Sequence, residues 1–392
     1  MQQSLYLAFR YLWFHKIRSM VLITSIAIVV FLPNGLQRLI EESETRMMAR
    51  ANATPLVIGA KGSSTDLVIN TLYFQQERIE QISMDMADML DATGFGYAIP
   101  VFATFNARGF PIVGTSLDYF SFRGLQIAEG RNIIYIGECV IGATVAERLD
   151  LKSGDSIVSS PENYFDLAGV YPLKMKIVGV LESTDTPDDR AIFADLKTAW
   201  TILGLGHGHE DLNKTRDTSV ILNRDDTNVT ANAKLFLYNE ITDQNAESFH
   251  FHGDTRTFPI SSVLFVPNDQ KSLTILRGRF EANELPHQAV IPKEVVANLL
   301  ESIFRIKEIF NTVFVLVGFA TLLILGLILT LNLRLRKDEL YTMFTIGSSK
   351  AKVAEILGFE LVIILCSSLV LTAVFYTITG LFVDVFITQY II

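Results

Sequence analysis

The chain has 392 residues, 49% of them hydrophobic, with a mean hydropathy of +0.33 and a formal net charge of −9. That is too apolar for an ordinary soluble enzyme and too polar for a transporter made mainly of membrane spans. The acidic balance argues against nucleic-acid binding, which needs a basic face.

Residues 1–18 carry Arg10, His15, Lys16 and Arg18 beside Tyr11 and Trp13. That mixture predicts an amphipathic helix lying in the membrane interface. An apolar span follows at 19–38. It meets Pro33-Asn34-Gly35 rather than a small-x-small cleavage site, so it reads as a retained anchor and not a signal peptide. The basic residues before it place the N-terminus in the cytoplasm.

Residues 39–308 read as one large extracytoplasmic domain. Strand-like runs occur at 56–59, 96–104, 139–141, 174–181, 220–222 and 263–266, and helical patterns at 77–90, 144–149 and 231–244. Turn signals fall at Lys152-Ser153-Gly154-Asp155 and at 185–189. The mixture predicts an α+β domain in two lobes, with helical stalks at 39–55 and 290–309. Ser63-Ser64 read as a turn, and Glu138 and Asp155 as residues that close turns or cap strands. Of the two cysteines, Cys139 falls in this domain and Cys366 in a later apolar span, so no disulfide is expected.

Four of the six histidines form two pairs, His207-Gly208-His209 and His250-Phe251-His252. On a strand, residues i and i+2 share a face, so each pair has the spacing to chelate one metal ion such as zinc. Glu210, Asp211 and Asp254 are near enough in sequence to complete a ligand shell. The alternative is a solvated loop and a strand edge with two exposed imidazoles.

A second span is predicted at 309–333 and a third at 354–383, with 384–392 as a short outer tail. The stretch from Leu361 onward is too short for two spans and a turn, which need roughly 40 residues. The loop 334–353 between the spans holds Arg334, Arg336, Lys337, Lys350 and Lys352, which marks it as cytoplasmic. Within it, Leu340, Met343, Phe344 and Ile346 fall largely on one side of a short helix, and Gly347 ends that helix. Such a helix offers a grip for a partner protein; the plainer reading is a topology determinant.

The pattern of Arg336, Glu339 and Gly347-Ser348-Ser349-Lys350, with Glu360 opening the next span, resembles the FtsX/MacB-type permeases of ABC transporters. A second match lies in the polar domain. Gly114-Thr115-Ser116-Leu117-Asp118-Tyr119-Phe120, Glu129-Gly130-Arg131, Glu138-Cys139-Val140-Ile141-Gly142, Leu151-Lys152-Ser153-Gly154-Asp155 and Ile177-Val178-Gly179-Val180-Leu181 come in the order of a MacB-like periplasmic core. The resemblance implies an α-helical membrane part of three spans, an N-terminal interfacial helix and a coupling helix, joined to a large α+β domain in the periplasm of a bacterial inner-membrane protein. It implies an ATPase contact through Arg336, Glu339, Leu340, Met343, Phe344, Gly347 and Ser348. A second permease copy, or a similar subunit, is implied as partner, with ATP and magnesium bound by the ATPase. The family usually has a fourth span and often Arg where Asp338 stands; the chain departs on both. Short stretches, 248–254, 263–268, Arg277-Gly278-Arg279 and 55–65, also resemble a subgroup linked to bacterial zinc uptake, which implies a periplasmic metal-binding partner.

The sequence holds no G-x-x-x-x-G-K-[ST] motif, and Gly59-Ala60-Lys61-Gly62-Ser63-Ser64 lacks its spacing. With no nucleophile–base set either, the chain is expected to be a non-catalytic subunit. It would pass ATP-driven motion to its outer domain. Lipoprotein release or efflux within the same family, and a membrane-anchored sensor or scaffold without an ATPase, are the competing expectations.

Overall fold

The computed structural model describes residues 2–75, 79–160, 172–208, 221–224, 229–231, 239–242, 245–246, 249–282, 286–335 and 337–390. The chain divides into two compact units. One comprises Met1–Thr45 with Leu300–Ile392, the other Arg46–Leu299.

The first unit is helical. A helix Gln2–Phe14 is followed, after a turn at His15, by a long helix Lys16–Asn52. The Ser19 hydroxyl donates back across the turn to the Leu12 carbonyl at 3.0 Å, which ties the two helices together. Helix Lys16–Asn52 continues through Pro33, although proline cannot donate to the ladder. Pro33 leaves the Val29 carbonyl without its ladder donor, and the Asn34 side-chain amide donates to the neighbouring Val30 carbonyl at 2.7 Å. Helices Pro292–Leu335, Lys337–Thr345 and Lys350–Tyr390 complete the unit's chain path. The last runs unbroken past Gly380 and Asp384, so residues 350–390 form one rod, and 384–390 belong to it. Leu22, Ile26 and Ile364 form a small buried cluster on which Leu12 and Ile23 pack.

Among the described residues, helices Lys16–Asn52 and Lys350–Gly380 are long and apolar enough to cross a membrane, and Thr312–Ile324 is a shorter apolar stretch. Many large apolar side chains there face outward, including Val315, Leu316, Leu322, Leu327 and Val370. An exposed apolar surface of this extent suits lipid better than water.

The second unit is built on a mixed sheet of eleven described strands. In order, its path runs Asn239–Glu240, Leu173–Leu181, Glu138–Ile141, Ile192–Asp195, Phe110–Thr115, Gly96–Ala107, Ser262–Pro267, Leu56–Ala60 and His287–Val290. Strands Ile127–Gly130 and Ser156–Val158 also pair with Leu173–Leu181. Its central strands are apolar on both faces, as buried mixed sheets require. Leu56, Ile58, Phe102, Ile112, Phe265 and Ile192 are all fully buried in the core. Each such side chain contributes about 1.5–3 kcal/mol by leaving water. Helices are distributed between the strands, which makes this an α+β domain.

Two helical expectations fail here for one physical reason. The predicted helix 77–90 gives way at Ile82–Ser83, a strand paired with Pro259–Ile260, and the helix is Asp85–Ala92; residues 76–78 lie outside the described residues. The predicted helix 231–244 ends in a different structure. Val229–Ala231 pairs with Ile221–Arg224, and Asn239–Glu240 lies parallel to Leu173-Lys174; 232–238 lie outside the described residues. Pairing with a partner strand, in two separate two-stranded ribbons and at one edge of the main sheet, outweighs local propensity. Ser63 is not a simple turn residue: its hydroxyl accepts from the Asp66 amide at 3.2 Å and caps the helix Ser64–Tyr73.

Candidate functional site

The short helix Lys337–Thr345 lies in chain order between Pro292–Leu335 and Lys350–Tyr390. Its end is a Schellman cap. The Ser348 amide donates to the Met343 carbonyl at 2.9 Å, and the Gly347 amide to the Phe344 carbonyl at 3.0 Å. Gly347 has φ +95°, a conformation other residues rarely adopt, so the sharp stop depends on glycine. Ser349 then accepts from the Lys352 amide at 3.3 Å and opens the next helix. The result is a helix displayed on a rigid bend. Tyr341 is 72% exposed, Ile346 77% and Phe344 41%, while Met343 is half-buried. Large apolar groups at this exposure, on a helix flanked by Lys337 and Lys350, mark a candidate interaction surface.

Of the residues singled out in the sequence, Met343, Phe344, Gly347 and Ser348 come together in this cap. Glu339 and Leu340 lie in the same helix, and their side chains are outside the described residues, as is Arg336.

A second arrangement, unforeseen in the sequence, sits at the last turn of helix Lys16–Asn52. The Arg50 guanidinium binds Asp188 through both carboxylate oxygens, at 2.6 and 2.9 Å. It also donates to the Tyr119 hydroxyl at 2.8 Å and to the Leu72 carbonyl at 2.7 Å. Tyr119 in turn donates to Asp188 at 2.7 Å. Around them, Tyr73 donates to the Met47 carbonyl at 2.9 Å, and Arg123 to the Thr54 hydroxyl at 2.9 Å. Asp189 shapes the turn that presents its neighbour, accepting from the amides of Thr184 and Asp185 at 2.9 and 2.8 Å. Both charges of the pair are buried, with side-chain exposures of 6% and 2%.

Burial alone pushes the Asp188 carboxyl up, but the Arg50 guanidinium, its hydrogen bonds and Arg123 hold it below the usual carboxylate range. Burial pushes the Tyr119 phenol up to about 12, so it stays protonated and able to donate. The turn 46–52 is thus fastened to three separate parts of the domain: the end of helix Ser64–Tyr73, helix Leu117–Arg123 and the 3-10 turn Pro187–Arg190.

Glu138 also proves more than a strand cap. It pairs with Arg131 and accepts from the Ile134 and Tyr135 amides at 3.0 and 3.1 Å, fixing the loop between them.

Of the histidines, His250 and His252 come together, with Nε2 atoms 3.2 Å apart. His207 is the register partner of His250 in the ribbon Gly206–Gly208 with Phe249–Phe251. His209, Glu210 and Asp211 lie outside the described residues. Asp254 is engaged by Arg256 at 2.6 Å. No group of three His, Cys, Asp or Glu side chains converges among the described residues. The cysteines are free, Cys139 buried and Cys366 exposed.

Comparison with known proteins adds the following. The family model of the MacB-like periplasmic core domain matches residues 20–235, more than half the chain. The uncharacterized ABC transporter permease YclI of Bacillus subtilis strain 168 is 28% identical over 253 residues, covering 62% of the chain. That match spans 43% of YclI, less than two thirds of its length. Among solved structures, the periplasmic region of MacB from Actinobacillus actinomycetemcomitans aligns over 64% of this chain and 97% of its own, with 11% identity and a TM-score of 0.36. The extracellular domain of the noncanonic ABC-type transporter YknZ from Gram-positive bacteria aligns over 60% and 98%, with 9% identity and a TM-score of 0.33.

Proposed function

Because the chain belongs to the MacB-like periplasmic core domain family, we propose that it is a permease subunit of an ABC transporter that passes ATP-driven motion from a cytoplasmic ATPase to its outer domain. The observation that carries this reading is the capped helix Lys337–Thr345, with Tyr341, Phe344 and Ile346 exposed on a rigid bend. In this reading the helix is the handle the ATPase grips. The chain crosses the bacterial inner membrane three times, near 19–38, 309–333 and 354–383, with the helix on the cytoplasmic side. It works as a dimer with a second permease copy or a similar subunit, and a separate ATPase subunit binds the ATP and magnesium.

Helices Lys16–Asn52 and Pro292–Leu335 have 37 and 44 residues, so each is about 55–65 Å long, against roughly 30 Å for a hydrocarbon core. Each therefore extends well beyond a span, and a continuous helix is stiff. Arg50, anchored in Asp188 and Tyr119, gives the first of them a firm seat in the core domain. The substrate is handled outside the membrane.

Co-purification of the full chain with its cognate ABC ATPase tests the handle. The wild-type chain retains the ATPase, whereas Glu339→Arg and Gly347→Pro lose it. Retention of the ATPase and of ATP turnover in both variants would defeat the assignment and favour a sensor or scaffold.

A further inference from the structure

We propose that helix Gln2–Phe14 is a clasp for anionic phospholipid. One face docks in the headgroup layer of the bilayer, and the other passes that docking to the first turns of helix Lys350–Tyr390, just after the capped handle. The two faces follow from the helical period. Ser4 and Ala8, four residues apart, are buried, and Leu12 continues the stripe against the cluster of Leu22, Ile26 and Ile364. Helix Lys350–Tyr390 packs against Gln2–Phe14. The buried positions in its first turns, Val353, Ile356 and Glu360, recur at helical spacing and lead to Ile364. The small side chains of Ser4 and Ala8 let the two helices approach closely.

On the opposite side of the helix, Tyr6, Phe9 and Trp13 also recur at helical spacing, and each is more than half exposed. The Phe9 and Trp13 rings stack with centroids 6.0 Å apart. The Ser19 hydroxyl, bonded back to the Leu12 and His15 carbonyls at 3.0 and 3.2 Å, holds the turn into the next helix. Beyond that turn the exposed apolar surface continues through Ile17, Met20 and Val21, in a helix long and apolar enough to cross a membrane. An aromatic face continuous with such a surface belongs at the membrane boundary, where Trp and Tyr rings sit at headgroup level.

Arg10 and Lys16 are exposed beside the aromatic face. Cations so placed are drawn to the phosphates of anionic lipid, and that attraction adds to the partition of the rings. A neutral bilayer engages the rings alone. The clasp rests on the proposed membrane crossing of helix Lys16–Asn52 and needs no ATPase. Failure of the chain to insert in a bilayer would defeat that crossing, whereas failure of the readouts below defeats the clasp alone.

The test uses tryptophan emission of the full chain in nanodiscs. The chain has two tryptophans, and Trp200 is buried in the outer domain, so the Trp13→Phe variant supplies the background. The discs are phosphatidylcholine with brominated acyl chains, with or without about 30% phosphatidylglycerol. The bromines quench Trp13 and, in Trp13→Phe/Tyr6→Trp, the indole at position 6. Phosphatidylglycerol deepens the quenching at position 6 about twofold, and Arg10→Gln/Lys16→Gln abolishes that gain while Arg10→Lys keeps it. Hydrogen exchange at amides 351–360 slows in the anionic discs for the wild-type chain and not for Arg10→Gln/Lys16→Gln. An indole at position 6 that stays open to aqueous acrylamide in both discs, or is shielded only when the ATPase is added, would overturn the proposal. Exchange at 351–360 that ignores phosphatidylglycerol while position 6 responds would overturn it as well.

Discussion

At the scale of the residue, the bidentate contact of Arg50 with Asp188 is a buried ion pair with both partners nearly inaccessible to water. A buried ion pair is weak evidence of net stabilisation, but breaking one side of it strands the other charge in a dry interior. Arg50→Met or Asp188→Asn should therefore lower the unfolding free energy by about 3–5 kcal/mol, read by denaturant titration in detergent. The double change Arg50→Met/Asp188→Leu, which removes both charges, should cost far less. A double variant as unstable as the singles would show that the hydrogen bonds of Tyr119 and Leu72, and not the charge, hold the joint. The acid behaviour has a definite sign. The Asp188 carboxyl is held below its ordinary range, so its contribution is complete above about pH 4 and is lost as pH falls through the depressed folded value. Asp188→Asn should flatten that acid limb of the stability profile. None of this was legible in the sequence. Asp188 stands 138 residues from Arg50 and Tyr119 stands 69 away, and only the fold closes those distances. The approach of the two histidine rings was legible as a spacing; the register of His207 with His250 was not.

At the scale of the element, the helix Lys337–Thr345 was readable because its signals are local. Apolar residues recur at helical spacing, and glycine follows where the last turn must reverse. The structure adds the cap that the periodicity could not show, with Gly347 at φ +95° and Ser348 bonded back to Met343. Gly347→Val should strain that position by about 1–2 kcal/mol and loosen the bend. The expected outcome is weaker ATPase binding with outer-domain stability unchanged, read by pull-down and by thermal unfolding in parallel. Equal loss of both would mean that the cap serves folding and not docking. Several of the sheet's core strands were equally readable, since runs such as that in Leu173–Leu181 are largely apolar, whereas the central strands Phe110–Thr115 and Ile192–Asp195 were not read. Two of the shortest strands were not readable. Ile82–Ser83 and Asn239–Glu240 have two residues each, too few to carry a period, and their partners alone make them strands.

At the scale of the whole molecule, a helical unit with long apolar helices shares one chain with an α+β domain of the MacB-like family. The membrane topology has its own test. In a Cys139→Ser/Cys366→Ser background, Lys61→Cys should react with a membrane-impermeant maleimide on intact cells, and Ser349→Cys only after permeabilisation. Labelling of both from outside would invert the cytoplasmic assignment of the 337–345 helix. The most direct test of the central claim is ATP turnover by the reconstituted complex of permease and ATPase, compared between the wild-type chain and Phe344→Asp. A charge placed in the apolar handle should abolish the permease-dependent part of the turnover while the ATPase keeps its basal rate. Turnover by the variant complex equal to that of the wild type would contradict the assignment of Lys337–Thr345 as the ATPase grip.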